Sequence, residues 1–117
     1  MSMESILTST KKALGIMEDY EHFDPEIIMF INTTFNVLRQ LGVGPDEVFT
    51  ISDKTALWSD FLPEGDIEAV KTYMFLKVKL LFDPPASSFV QQSYQDTIKE
   101  LEWRMNVMAE PNGYNLS

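Results

Sequence analysis

Residues 16–23 gather the side chains of this sequence that come nearest to a metal site. The segment carries Glu18, Asp19 and Glu21 beside His22, the only histidine in the chain. It lacks the glycine and the alternating oxygen ligands of a calcium loop, and one histidine is a thin basis for a transition-metal site. We therefore predict no bound metal and interpret the segment as a solvated loop.

Three further patterns could carry catalysis, and each lacks part of what its chemistry requires. Residues 9–12 (STKK) have the spacing of a serine-x-x-lysine nucleophile motif without its companion motifs. Residues 42–45 (GVGP) lack the further glycine and the lysine of a phosphate-binding loop. Asp46 and Glu47 lie in a predicted solvent-facing loop, without the surroundings that raise a carboxyl pKa for general acid catalysis. We predict no catalytic residues, no cofactor and no enzymatic activity.

Composition limits the other classes of function. The 117 residues suit one domain and contain no cysteine, which excludes disulfides and cysteine-ligated metals. A net charge of −9, with only nine lysines and arginines, argues against binding nucleic acid by its phosphates. An acidic surface suits either ordinary solubility or a protein that lets nucleic acid pass without holding it. We expect neither a secretion signal nor a membrane span.

The stretch at residues 66–85 (DIEAVKTYMFLKVKLLFDPP) predicts a buried central helix that ends at the two prolines. One side of the helix carries Ile67, Val70, Met74, Val78 and Leu81, and the other carries Ala69, Tyr73, Leu76 and Leu80. A helix with two apolar sides needs partners on both. Lys71 and Lys77 interrupt these sides and either extend to water or meet carboxylates of a neighbouring chain.

The second and the last helix are predicted to cover this central helix, one on each side. A short first helix spans residues 3–14, and a second runs from Asp24, as its cap, to about Leu41, with Pro25 at its first position. Residues 43–65 form a long irregular loop with a short extended piece at 48–51 and a short helix at 55–62. The sequence therefore predicts a mainly α fold, a bundle of about four to five helices around a central buried helix.

The last helix is predicted to begin at a Ser88-x-x-Gln91 capping box and to reach about residue 108. Its packing seam comprises Val90, Tyr94, Ile98, Leu101, Met105 and Met108. Phe89, Trp103 and Val107 lie off that seam, which indicates a contact between subunits or a second contact within the chain.

A domain boundary is predicted where the last helix ends. Residues 1–109 form the helical domain, and residues 110–117 (EPNGYNLS) form a flexible tail. Tyr114 and Leu116 are the only anchors of that tail for a partner.

The order of several segments resembles the head-tail connector family of long-tailed bacteriophages, also labelled a DNA-packaging family. The segments are KKALGI, FINTTFNVLRQLGVGP, KTALWSDFL, EAVKTYMFLKVKLLFDPPASSFV and IKELEWRMNV. The similarity covers about residues 3–108. Its most specific parts are residues 36–45, residues 58–61 (WSDF) and residues 73–89 with the LFDPP core.

The resemblance implies a structural virion protein, assembled in the host bacterial cytoplasm as a twelve-fold ring below the portal. Such a ring joins the capsid to the stopper or tail-completion protein, and DNA passes through it without specific binding. The portal contact falls to the loop at 43–65 or to Tyr114 and Leu116 of the tail, and Phe89, Trp103 and Val107 suit the contact between subunits. The alternatives are a helical adaptor domain that binds a single protein partner through its last helix, and a small hydrolase that uses the acidic loops.

Overall fold

In the part of the chain that the structure describes, five helices form one small bundle. A computed structural model describes residues 4–109, with side chains described as far as Val107. The helices are α1 (Ile6–Ala13), α2 (Asp24–Gln40), α3 (Trp58–Phe61), α4 (Ile67–Phe82) and α5 (Ser88–Ala109). Across residues 4–109 there is no strand, and Ser5 and Leu57 form an isolated antiparallel bridge. The predicted mainly α class is confirmed, while the boundary and tail predicted at residues 110–117 lie outside the described residues.

The central position of α4 is confirmed, since α1, α2 and α5 all pack against it. Its buried residues come from both sides of the helical wheel: Val70, Tyr73, Met74, Leu76 and Val78. A helix covered on both sides has little net amphipathicity, so its sequence is apolar almost all round. This helix fixes the positions of the elements around it.

The last turn of α4 differs from the prediction at Leu81. Leu81 was expected to face the core but is 48 % exposed. The neighbouring Phe82 takes the inward position, with its ring 5.1 Å from that of Phe23 in an edge-to-face arrangement. Leu80 is only partly buried, at the edge of the core.

The start of α2 also differs in how it is stabilised. Asp24 was predicted to cap the helix, but Phe23 occupies the capping position and makes no side-chain bond there. The Asp24 carboxylate instead forms an ion pair with Lys11 of α1, with 2.8 Å between Nζ and Oδ1. A long-range charged partner has displaced the local cap, while Pro25 keeps its predicted place at the first turn.

The hydroxyl that caps the start of α5 belongs to Ser87, one residue before the predicted capping residue Ser88. Ser88 is already helical, and the Ser87 hydroxyl accepts the Val90 N–H at 3.3 Å. Gln91 Nε2 reaches back to donate to the Pro85 carbonyl at 2.6 Å. The predicted seam is confirmed at Ile98, Leu101 and Met105, which are buried, and at Val90 and Tyr94, which are partly buried. The side chain of the last seam residue, Met108, lies outside the described part.

The loop between α2 and α4 is held by aromatic packing and not by a strand. The short piece predicted to be extended at 48–51 forms no strand, and the backbone of Ile51 bonds to the side chain of Asn32 in α2. The short helix predicted at 55–62 is limited to α3. Phe61 packs against Phe35 with ring centroids 4.6 Å apart and against Phe49 at 5.2 Å. These rings fix the loop to α2.

Candidate functional site

The outward side of α5 presents two large aromatic side chains to solvent. Phe89 is 81 % exposed and Trp103 is 68 % exposed, while Val107 is half-buried. The two aromatic residues are fourteen positions apart, which is about 21 Å along a helix. The structure therefore does not bring Phe89 and Trp103 into one cluster, and a partner would meet them as two separate anchors. Their contact with another subunit stays a prediction.

A partly buried hydrogen bond fixes the rotation of α5 next to Trp103. The Tyr73 hydroxyl of α4 donates to Glu102 Oε2 at 2.7 Å. Burial, together with the hydrogen bond to Glu102, raises the pKa of Tyr73 well above its ordinary value. Because Glu102 is held toward α4, its neighbour Trp103 is directed away from the bundle.

Lys99 accompanies Trp103 on this side of α5. It lies four residues before Trp103, one turn away on the same side of the helix, and it is exposed. Glu100 and Asp96 are also exposed nearby, and Asp96 Oδ1 accepts from Gln92 Nε2 at 2.9 Å. Tryptophan is enriched among the residues that dominate interface energy, so Trp103 is the candidate anchor on this side of α5.

The second surface is an open cleft of about 1060 Å³ that the sequence did not predict. It lies between α1, the loop at 16–23, the first turns of α2 and the segment at 51–54. Its apolar lining comprises Leu7, Met17, Pro25, Ile28 and Ile51, and its charged lining comprises Lys11, Glu18, Asp19, Glu21, Asp24, Asp53 and Lys54. The cleft is therefore an apolar depression with a mainly acidic rim.

Lys11 holds the acidic wall of this cleft in place. Its side chain is only 2 % exposed, and Nζ donates to the carbonyls of Glu18 at 3.0 Å and Tyr20 at 2.8 Å in addition to its ion pair with Asp24. A buried ammonium group needs such partners, because an unpaired buried charge is costly. The sequence holds one signal for this role: Lys11 follows Leu7 by four residues and so lies on the apolar side of α1.

The opposite rim of the cleft is shaped by a local turn at Asp53. Its Oδ1 accepts from the hydroxyl of Thr55 at 2.5 Å and from the Thr55 N–H at 2.8 Å. These hydrogen bonds hold the pKa of Asp53 below its usual value. Asp53 therefore adds a persistent negative charge beside Lys54.

The acidic loop at 16–23 does not assemble a metal centre in the part of the chain that the structure describes. Among residues 4–107, no three histidine or carboxylate side chains come together in a way that could hold an ion. The ring of His22 instead packs edge-to-face on Phe23 with centroids 4.8 Å apart. Across the described residues, no helix is long and apolar enough to cross a membrane.

The lysines of α4 have partners within the chain. Lys71 pairs with Glu4 and, at 3.6 Å, with Glu68. The hydrogen bond to Glu4 raises the pKa of Lys71. Lys77 places its ammonium group 5.9 Å from the centre of the Tyr73 ring. The structure therefore supplies a partner for each lysine without a neighbouring chain.

Two of the residues predicted to contact a partner cannot be placed. Tyr114 and Leu116 lie outside the described residues, so their role stays a prediction from sequence. The loop at 43–65, which was the other candidate for a portal contact, is described and exposes Val48 at 63 %.

Comparison with known proteins identifies one family. A family model described as "Phage connector protein" matches residues 6–112, a range that includes all five helices. No curated protein and no solved structure matches the chain.

Proposed function

This chain belongs to the phage connector protein family, and we propose that it forms a ring between the portal of a DNA-filled capsid and the stopper or tail-completion protein. Family membership supports a structural head-tail connector role in the virion. The observation that carries the finer proposal is the extent of the match, which runs from the first residue of α1 to beyond α5. The match thus covers all five described helices.

The exposed side of α5 supports assembly into a ring. Aromatic residues are enriched at protein interfaces, and tryptophan is enriched among residues that dominate interface energy. Trp103 and Phe89 stand on the opposite side of α5 from its seam with α4, with Val107 at the edge. We assign these three residues to contacts between subunits of a twelve-fold ring.

The charge of the chain suits a channel for DNA. With eighteen acidic and nine basic residues, the net charge is −9. A ring of such subunits repels the phosphate backbone and offers few cations to bind it. DNA can then pass during ejection without being held.

We assign the portal contact to the residues after α5, with Tyr114 and Leu116 as anchors. This short segment follows a long helix that is fixed to α4 by the Tyr73–Glu102 bond. One such contact is weak, but many copies engaging at once raise the avidity without any new type of contact. The loop at 43–65 is the alternative location for this contact.

A second candidate function uses the same exposed surface. A single host protein could bind α5 through Trp103, in which case the chain would be an adaptor domain and not a ring subunit. Light scattering separates the two: the ring requires a large homo-oligomer, alone or on heads, whereas the adaptor requires a stoichiometric complex with one partner.

The proposal is tested by genetic depletion and complementation of the phage or prophage that encodes the chain. Particles made without it should be DNA-filled heads that leak DNA or fail to join tails. Adding the purified protein to these heads should restore infectivity, and electron microscopy should show an added ring at the portal vertex. Normal tailed particles without the protein would contradict the proposal.

A further inference from the structure

We infer that α5 is exchanged between neighbouring copies in the ring, so that the α5 of one copy packs on the α4 of the next. This inference rests on the proposed function, because it states how the copies of the ring are joined. It begins from the linker between α4 and α5, residues 83–87 (DPPAS), and from the position in the chain of the residues that hold α5.

The residues that hold α5 in place precede this linker. α5 packs against α4, and its buried described residues are Ile98, Leu101 and Met105. Glu102 accepts from the Tyr73 hydroxyl, and Asn106 Nδ2 donates to the Leu41 carbonyl at 3.2 Å. The α5 of a second copy can make these same contacts, because none of them depends on which chain supplies the helix. For this reason, exchange of an identical element between copies is a low-cost route to an oligomer.

The composition of the linker favours an extended chain. Pro84 and Pro85 fix their own backbone φ, and a proline keeps the residue before it out of the helical region. Asp83 accordingly has a φ of −151° and a ψ of 71°. At the extension of proline-rich segments, about 3.1 Å per residue, residues 83–87 span roughly 15 Å. That length exceeds the roughly 8 to 10 Å between the axes of packed helices, so the linker can reach the α4 of a neighbour.

Within the described chain, no hydrogen bond joins the α4 side of the linker to its α5 side. On the α4 side, Lys79 Nζ donates to Asp83 Oδ2 at 2.9 Å. On the α5 side, Gln91 Nε2 donates to the Pro85 carbonyl at 2.6 Å. Because each bond stays on its own side, α5 can leave its own α4 without breaking a bond across the linker.

Two large apolar side chains flank the linker and are exposed in the single subunit. Leu81 precedes it and is 48 % exposed, and Phe89 follows it and is 81 % exposed. In an exchanged ring the linker crosses from one copy to the next, so both side chains lie at the boundary between copies. Burial of apolar surface at that boundary favours the exchanged form.

Exchange in one direction around the ring matches the symmetry of a connector. Each copy gives its α5 to one neighbour and receives an α5 from the other neighbour. Such a heterologous contact closes into a ring when the rotation between copies closes. The free subunit keeps the described form, in which α5 packs on its own α4, until copies meet on the portal.

Site-directed crosslinking tests the exchange, and the absence of cysteine gives it a clean background. The test variant carries Phe75→Cys on α4 and Tyr94→Cys on α5, because these two rings lie 6.2 Å apart. The matched control carries Phe23→Cys and Phe82→Cys, whose rings lie 5.1 Å apart and which both precede the linker. All four side chains are partly buried. Both proteins are assembled on heads made without the protein and treated with a short bis-maleimide crosslinker.

In the exchanged ring, the test pair joins α4 of one copy to α5 of the next. The expected product is a ladder of covalent oligomers that ends at the size of the closed ring, whereas the control should stay monomeric. Rings made from a mixture of the single variants Phe75→Cys and Tyr94→Cys should give a two-chain product. Completed heads whose rings give only monomers from the test variant would overturn the inference and leave the proposed function standing. A ladder from the control as well would also overturn the inference.

Crosslinking before assembly gives a second measurement. In the dilute free protein, the test pair is joined within one chain and ties α5 to its own α4. This locked protein should fail to form rings, while the control protein crosslinked in the same way should form them and complete heads. Locked test protein that completes heads would overturn the inference. Failure of the unmodified protein to assemble on heads would overturn the proposed function, and the inference with it.

The two linker prolines give a third measurement that leaves the contact between α4 and α5 unchanged. The double variant Pro84→Ala and Pro85→Ala frees the linker to turn back, so the closed subunit is favoured and ring formation on heads should slow. A circular dichroism spectrum like that of the parent is the control for folding of the free variant. Ring formation at the parental rate in this variant would overturn the inference.

Discussion

The side-chain amide of Asn32 bonds to both backbone polar groups of Ile51. Asn32 Nδ2 donates to the Ile51 carbonyl at 3.0 Å, and the Ile51 N–H donates to Asn32 Oδ1 at 2.8 Å. The amide thus replaces a neighbouring strand for one residue and holds the loop against α2. Ile51 also lines the cleft, so this pair of bonds fixes part of its lining.

Removing the amide should loosen the loop. We expect Asn32→Ala to lower the free energy of unfolding by about 1 to 3 kcal/mol, because two backbone groups of a buried residue lose their partner. Urea unfolding measures this change. Thr33→Ala is the matched control, since its exposed hydroxyl bonds only within α2. Equal losses for the two variants would contradict the role of Asn32.

Replacing Lys11 should disturb the acidic wall of the cleft. Lys11→Met keeps the length of the side chain but removes the cation that binds two carbonyls and Asp24. We expect a loss of about 3 kcal/mol, at the lower end for a broken buried pair, since Asp24 is partly exposed. Hydrogen exchange should accelerate at residues 16–23. The exposed Lys12→Met is the control, and equal exchange in both variants would refute the prediction.

The Tyr73–Glu102 bond should make stability depend on alkaline pH. The pKa of Tyr73 is raised in the folded state, whereas the unfolded chain has the ordinary value of 10.0. Below pH 10 both states keep the proton, so the contribution is complete. Above pH 10 the unfolded state loses its proton first, and stability falls as pH rises.

Tyr73→Phe isolates this effect. The variant should lose about 1 kcal/mol near neutral pH, where the bond to Glu102 is present in the parent protein. Its stability should then fall less steeply than that of the parent above pH 10. Thermal unfolding at a series of pH values between 8 and 11 measures both, and parallel curves throughout the series would contradict the assignment.

Trp103 should matter for assembly and not for folding. Since its side chain is 68 % exposed, Trp103→Ala should change the free energy of unfolding by no more than about 0.5 kcal/mol. Ring formation on heads should be lost. Leu101→Ala is the contrasting variant: Leu101 is buried, and its truncation should cost about 2 to 5 kcal/mol. Unfolding of the Trp103→Ala variant at ordinary temperature would contradict this prediction and show that Trp103 stabilises the core.

Truncation after Ala109 tests the portal contact assigned to Tyr114 and Leu116. The shortened protein should fold with unchanged stability but should fail to complete heads, leaving full heads that leak DNA or lack tails. The double variant Tyr114→Ala and Leu116→Ala should have the same defect. Fully infectious particles with either protein would rule out the assignment.

Local patterns in the sequence were sufficient to predict the helices. The order of longer segments was sufficient to indicate the family. α4 carries apolar residues on both sides of its wheel, and the structure places partners on both. α2 ends close to Leu41 as predicted, and Gly42 follows with a φ of 87° that other residues rarely adopt. The order of short segments indicated the connector family, which the match over residues 6–112 confirms. The helices depend on neighbours within a few turns, so periodicity and stop residues report them directly, whereas the family was indicated by the resemblance of whole segments.

Only the tertiary structure decided which distant residues come into contact, and these contacts form the cleft. Lys11 is buried because α1 crosses the start of α2. There the Asp24 carboxylate pairs with Lys11 instead of capping the helix as predicted. Asn32 and Ile51 are nineteen residues apart, and Phe82 instead of Leu81 turns inward because Phe23 lies beside it. A helical wheel shows which side of a helix is apolar, but the partner of a polar group depends on the packing of separate elements. For that reason the sequence indicated the exposed Trp103, whereas the cleft between α1 and α2 became visible only in the folded chain.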